Sequence, residues 1–204
     1  MRKGYRKMTQ ANIKAISAGM KQYAELEKMF NLPQIQSNRF LRDCLVGAAV
    51  GVSDMNTNMY GWDGEFADGT PFENKNVSSK AKTGHSLTLE FKDTSNEKLT
   101  ELVNGVLATH TAWENSGEVA FLMVGNTKNI GKRLVEAYRP YGRRVTTASM
   151  SHCLANGFKL VAINYTKQQV IDAVTEKFPR LGKSLTPADI YTKKELKSLV
   201  SSMI

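Results

Sequence analysis

The chain has 204 residues, 41% hydrophobic and 23% charged, the composition of a globular protein long enough to bury a core and not that of a disordered chain. Cys44 and Cys153 lie far apart and outside any CxxC pairing, which argues against a disulfide framework or a cysteine zinc site and makes a reducing, cytoplasmic setting the expectation. The net charge of +9 hides a contrast, since residues 51–100 sum to −3 while the stretches on either side are positive. A basic body favours a polyanionic partner, and a local concentration of acid within it is what a divalent cation site needs. "MRKGYRKMTQ" is basic but leads into no apolar segment, and no window approaches 18 uninterrupted apolar residues, so neither export nor a membrane partner is expected.

In chain order, Ile13, Ile16, Met20, Tyr23, Leu26 and Phe30 recur at helical spacing behind Thr9, predicting a capped amphipathic helix over residues 9–30. A second helix is predicted from Ser37 through "NRFLRDCLVGAAVG", with Phe40, Leu41, Cys44 and Leu45 turned to the core. Residues 61–66 and 70–77 read as two strands around "ADG", and the alternation of "SLTLEFKD" predicts a third. "SNEKLTELVNGVLATHTAW" opens with a capping signal and reads as a helix with Leu99, Leu102, Val103 and Val106 on one face. "EVAFLMVGN" reads as a buried strand, "IGKRLVEAY" as a crossover helix, and residues 147–156 as a helix closed by Gly157. A further buried strand, "FKLVAINYT", then precedes two terminal helices, "KQQVIDAVTEKF" and "KKELKSLVSSM". With no repeat or dividing linker, residues 1–204 read as one α/β domain, a central mixed sheet flanked by helices.

The acid is densest in "GWDGEFADGTPFENKNVS", where four carboxylates and Lys75 fall between residues 63 and 75. If "ADG" is a three-residue hairpin loop with Gly69 in the left-handed conformation, then Phe66 faces Thr70, Glu65 faces Pro71 and Asp63 faces Glu73. Alternation then gathers Asp63, Glu65, Glu73 and Lys75 on one face. Opposed carboxylates repel unless a cation holds them. Asp63, Glu73 and the backbone carbonyl of Asn74 are hard oxygen ligands suited to Mg2+, with Mn2+ able to substitute, and Lys75 stands where its ammonium could contact a phosphate or the attacking water.

Asp63-x9-Glu73-Asn74-Lys75, after a helical N-terminus and before a strand and an α/β crossover, resembles the core of the PD-(D/E)XK nuclease superfamily. The likeness is nearest to compact type II restriction endonucleases and phage Holliday-junction resolvases, whose motif spans a short hairpin with a glycine turn. The resemblance implies a restriction-endonuclease-like mixed sheet, with N-terminal helices preceding the catalytic hairpin, and Mg2+-dependent phosphodiester hydrolysis. Asp63 and Glu73 match its metal ligands and Lys75 its motif lysine. Trp62 stands where the superfamily's name has proline. The specific match covers about residues 60–93, and within it "LTLEFKD" offers a rival, Glu90-Phe91-Lys92, on a more obvious strand.

Elsewhere, Glu25 and Glu27 read as solvated helix charges, and His152 beside Cys153 as structural, because adjacent helix residues diverge. His85 in "KAKTGHS", and Arg139, Arg143 and Arg144 in "YRPYGRRVTTASMS", have the chemistry for phosphate clamping and base contacts, and "MRKGYRK" is a candidate DNA-embracing arm. The expected partner is therefore double-stranded DNA, and the expected assembly a homodimer, since one site cuts one strand. A non-catalytic nucleic-acid-binding regulator, and a structure-selective resolvase or repair nuclease, are the alternatives.

Overall fold

The computed structural model describes residues 5–29, 39–56, 61–78, 88–114, 118–142 and 144–204. The chain runs through β1 (Tyr5–Lys7), α1 (Gln10–Met29), α2 (Arg39–Val50), β2 (Asp54–Asn56), β3 (Gly64–Glu65), β4 (Pro71–Ser78) and β5 (Thr88–Phe91). It continues with α3 (Asn96–Asn104), β6 (Leu107–Trp113), β7 (Val119–Asn126), α4 (Gly131–Ala137), β8 (Thr146–Ser149) and α5 (Met150–Ala155). It ends with β9 (Lys159–Ala162), α6 (Lys167–Lys177), α7 (Pro179–Gly182), β10 (Ile190–Thr192) and α8 (Leu196–Ser201).

Eight strands form one mixed sheet in the order β1-β2-β3-β4-β6-β7-β9-β10. β4 and β6 run parallel, as do β9 and β10, and the other neighbours are antiparallel. One face packs Phe72, Leu107, Trp113, Leu122 and Val161 against Met20 of α1, Cys44, Val46 and Val50 of α2, and Leu196 and Val200 of α8. The other packs Ala108, Ala112, Met123 and Leu160 against Leu102 of α3, Leu134 of α4, Cys153 of α5, and Val170 and Val174 of α6. An α/β fold with a mixed central sheet between helices is thus the observed architecture.

Local chemistry accounts for many of the boundaries. Thr9 Oγ1 accepts from the Asn12 amide ahead of α1, and Ser95 Oγ accepts from the Lys98 amide at the start of α3. Thr166 and Gln169 form a reciprocal capping box on α6. Phe30 and Ser37, assigned from sequence to the first two helices, lie outside the described residues.

Two expectations change. The helix expected from Ser95 onward stops at Gly105, φ 132°, and residues 107–113 form the central strand β6, buried at every position. Its polar residues, Thr109, His110 and Thr111, are consecutive and buried, so the segment lacks the polar–apolar alternation that marks a half-buried strand. Likewise residues 146–149 are strand, and the helix expected from Thr147 begins at Met150, because Ser149 caps it. The "LTLEF" strand is present as expected, as β5, and pairs antiparallel with β8 in a separate two-stranded sheet. Tyr5–Lys7 of the expected basic arm pair with β2 as the sheet's edge strand.

Close approach of β2 and β3 fixes where the hairpin starts. A Cβ on Gly64 would lie 2.8 Å from Val52 Cγ1 and 2.9 Å from the Asp54 carbonyl oxygen, so this position has no room for a side chain. Gly64→Ala should therefore cost about 1–3 kcal/mol, seen as a lower urea midpoint with an unchanged m-value. An unchanged midpoint would mean that the two strands separate freely there.

Candidate active site at the β3–β4 hairpin

The hairpin has the expected register. Glu65 pairs with Pro71 and Gly64 with Phe72, and the Phe66 amide donates to the Thr70 carbonyl at 2.9 Å. Gly69 has φ +91°, and Asp68 Oδ1 accepts from the Thr70 amide at 2.9 Å to close the loop. Phe66 and Phe72 meet edge to face beneath it, with centroids 6.4 Å apart. Counting one step outward from Gly64 and Phe72 sets Asp63 opposite Glu73.

Asp63 sits just before β3, and its carboxylate turns onto the edge of β4, where Oδ2 accepts from the Asn74 main-chain N–H at 2.7 Å. Glu73 is 2% exposed and forms a close ion pair through Oε1 with Lys75 Nζ, which also lies 5.6 Å from the Phe91 ring centroid. Asp63, Glu73 and Lys75 are therefore brought together. Burial first, then the negative charges of Glu73 and Asp43, push the Asp63 carboxyl from 3.8 up to about 8, while the Asn74 N–H and Lys75 pull the other way. Glu73 Oε2 is buried without a hydrogen-bond partner.

Two contributors escaped the sequence reading. Asp43 of α2 is buried, and its Oδ1 accepts from both Asn74 Nδ2 and Asn76 Nδ2 at 2.8 Å. Asn74 Oδ1 in turn accepts from Thr109 and Thr111 Oγ1, each at 2.8 Å, and Asn76 Oδ1 from Trp113 Nε1 at 2.7 Å. This network orients Asn74, the residue expected to offer a carbonyl to a cation. The second is His110, 5% exposed on β6 and in register with Lys75. Burial, with the charges of Lys177 and Lys75, pushes its imidazole from 6.5 down to about 4, so it is neutral at neutral pH.

Trp62, in the position beside Asp63, is a core residue: its indole donates to Glu101 Oε2 at 2.7 Å and Lys98 Nζ stacks 4.9 Å from its centroid. The rival pair, Glu90 and Lys92, forms a 3.0 Å ion pair with both side chains largely in solvent, on a strand outside the main sheet. Arg139 and Arg144 are exposed on the loop before β8; Arg139 pairs by backbone with Val145, and the Arg144 carbonyl accepts from the Thr94 amide at 2.8 Å. Tyr141, at the turn between them, is 89% exposed. His85 and Arg143 lie outside the described residues, so the structure does not place them. Both cysteines are buried free thiols, with pKa values raised to about 12 mainly by burial, which rules them out as thiolate nucleophiles near neutral pH.

Among the described residues no group of three or more His, Cys, Asp or Glu side chains converges as a metal-holding cluster. The expected ligand set needs only two carboxylates and a carbonyl, and the buried, unpartnered Glu73 Oε2 beside Asp63 fits a hard cation. No described helix is long and apolar enough to cross a membrane. No protein-family model matches the chain, and comparison with curated proteins finds no match.

The raised Asp63 pKa sets the sign of a pH effect. The folded protein keeps a proton that the unfolded chain releases near pH 4, so cation-free stability is greatest at the low end and falls as pH rises from about 4 to about 8. Asn at position 63 can still accept the Asn74 N–H. Asp63→Asn should flatten this slope and raise stability at pH 8 by about 1–3 kcal/mol, measured by urea unfolding in EDTA at pH 5 and pH 8. Equal pH dependence in both proteins would contradict the assignment.

Proposed function

We propose that this protein is a Mg2+-dependent DNA endonuclease of the PD-(D/E)XK type, with a restriction-endonuclease-like arrangement around the β3–β4 hairpin. The observation that carries the reading is the placing of two carboxylates, Asp63 and Glu73, at one core hairpin, with Asp63 held on the Asn74 N–H, Lys75 paired to Glu73 and Glu73 Oε2 buried without a hydrogen-bond partner. Helices before the hairpin, and the β4–α3–β6 crossover after it, agree with the element order that the resemblance implies.

Asp63, Glu73 and the Asn74 carbonyl would hold Mg2+, or Mn2+ in its place. Bound there, the cation would draw charge from the phosphate and ease attack on phosphorus. Lys75, released from Glu73 by a competing charge, can contact a non-bridging phosphate oxygen or orient the attacking water. In the reaction the water oxygen bonds to phosphorus as the ester P–O bond to the departing sugar oxygen breaks. The surplus water proton leaves to solvent, and the departing oxygen takes one from solvent. Asn74 is kept in place by Asp43, Thr109 and Thr111, so the carbonyl does not need to be ordered at each turnover.

The chemistry of the outer surface supports DNA as the substrate. Arg139 and Arg144 flank the exposed Tyr141, a combination suited to a backbone phosphate and a base or sugar face. His85 and Arg143 belong to the same reading through their sequence positions. A double-strand break would take two copies of the site, hence a homodimer.

The test is single-turnover cleavage of supercoiled, linear and branched DNA in Mg2+ or EDTA. Glu73→Gln should abolish cleavage while DNA is still bound, and Lys75→Ala should slow it by about 10²-fold or more with cation binding kept. Full activity in Glu73→Gln would remove the hairpin from the mechanism. Cleavage confined to branched DNA would favour the resolvase alternative, and binding without cleavage the regulatory one.

A further inference from the structure

Among the described residues, two side-chain polar atoms are buried without any hydrogen-bond partner, Glu73 Oε2 and His110 Nδ1. They belong to neighbouring strands. Glu73 is in register with Ala108, and Lys75 with His110, so Glu73 and His110 occupy a diagonal pair in the β4–β6 ladder. Alternation puts both on the face that also carries Lys75, Ala108 and Ala112. An orphaned buried polar group costs about 1–3 kcal/mol, and two such atoms at diagonal positions on one face of neighbouring strands leave hydrogen-bonding capacity that a small polar molecule could fill.

We propose that Glu73 Oε2 and His110 Nδ1 each accept one O–H of a single ordered water, and that this is the water the hydrolytic site consumes. The second half of that statement rests on the nuclease reading; the first does not.

The neutral state of His110 fits this role, since an imidazole flanked by the charges of Lys75 and Lys177 and removed from solvent stays unprotonated near neutral pH. A neutral ring with its proton on Nε2 offers Nδ1 as an acceptor. A water whose two hydrogens are both held by acceptors has its oxygen lone pairs directed away from them, free for a phosphorus atom. Each carboxylate oxygen has two lone pairs, so Glu73 can hold this water and still serve a cation. His110 is in this account a catalytic residue on β6, supplied by the strand that parallels the motif strand. During the step the water oxygen forms the new P–O bond as the ester P–O bond breaks, the surplus proton leaves by way of one of its two acceptors to solvent, and the departing sugar oxygen takes a proton from solvent.

Three substitutions separate the role from mere packing. His110→Asn places an amide oxygen where Nδ1 stood, His110→Gln reaches instead to the Nε2 position, and His110→Phe fills the space with no polar atom. High-resolution crystals grown in EDTA should show, in the wild type, a water within hydrogen-bond distance of both atoms. It should persist in His110→Asn and vanish in His110→Phe. Nitrogen-15 NMR of the wild-type protein should report the Nε2–H tautomer. Single-turnover cleavage should fall by about 10²-fold in His110→Phe and His110→Gln with unchanged KM, and recover to within about tenfold of wild type in His110→Asn.

Absence of the water from wild-type crystals, or an Nδ1–H tautomer, would overturn the proposal, as would wild-type cleavage by His110→Phe. Should His110→Phe fail to fold, the wild-type crystals, the tautomer and the Asn–Gln contrast decide the matter. If the wild-type protein cuts no DNA, the nuclease reading falls on its own, and the crystallographic water and tautomer still decide whether the subsite exists.

Discussion

Alternation along β4 puts Glu73 and Lys75 on one side of the sheet and Asn74 and Asn76 on the other, and the site's two halves follow from this division. On the first side a buried carboxylate meets an ammonium, the Phe91 ring and the His110 strand. On the second, amides are locked to Asp43, Thr109, Thr111 and Trp113. The strand's edge supplies the remaining element, since the Asn74 N–H holds the Asp63 carboxylate. A single strand thus carries a face with spare hydrogen-bonding capacity, a fixed face and a fixed edge.

The electrostatics depend on that scaffold. Asp63 is kept near Glu73 and Asp43 by main-chain and helix packing, and neither charge can move off into water. The network behind Asn74 is well satisfied, with two hydroxyl donors and a carboxylate acceptor for its amide, so it stiffens the position. The front is under-satisfied, at Glu73 Oε2 and His110 Nδ1. A rigid rear and a front with spare hydrogen-bonding capacity is the polarity expected of a binding site built into a core sheet.

The hairpin was legible in sequence because its information is local: "ADG", a glycine suited to positive φ and a short count outward settle which residues oppose each other. Helices α1, α3 and α6 were similarly legible from spacing and caps, though not to their last residues. Asp43 was not, because the groups it accepts from lie 31 and 33 residues away and an acidic residue in a helix carries no mark of that. His110 was missed with its strand. A run buried on both faces lacks the alternation that identifies a strand, and the capping signal at Ser95 drew residues 107–113 into a helix that Gly105 had already ended. The isolation of β5 with β8 also depended on pairing between segments far apart in the chain, which demoted Glu90 and Lys92 to a solvated ion pair.

Isothermal titration of the wild-type protein with Mg2+ at pH 7, in two buffers of different ionisation enthalpy, tests the central claim that the Asp63–Glu73 pair is a cation site. The account predicts saturable 1:1 binding that releases close to one proton per cation, because the proton held on Asp63 must leave when the cation takes its place. It also predicts that Glu73→Gln removes this binding. Absence of saturable binding, or binding that releases no proton and survives Glu73→Gln, would contradict it.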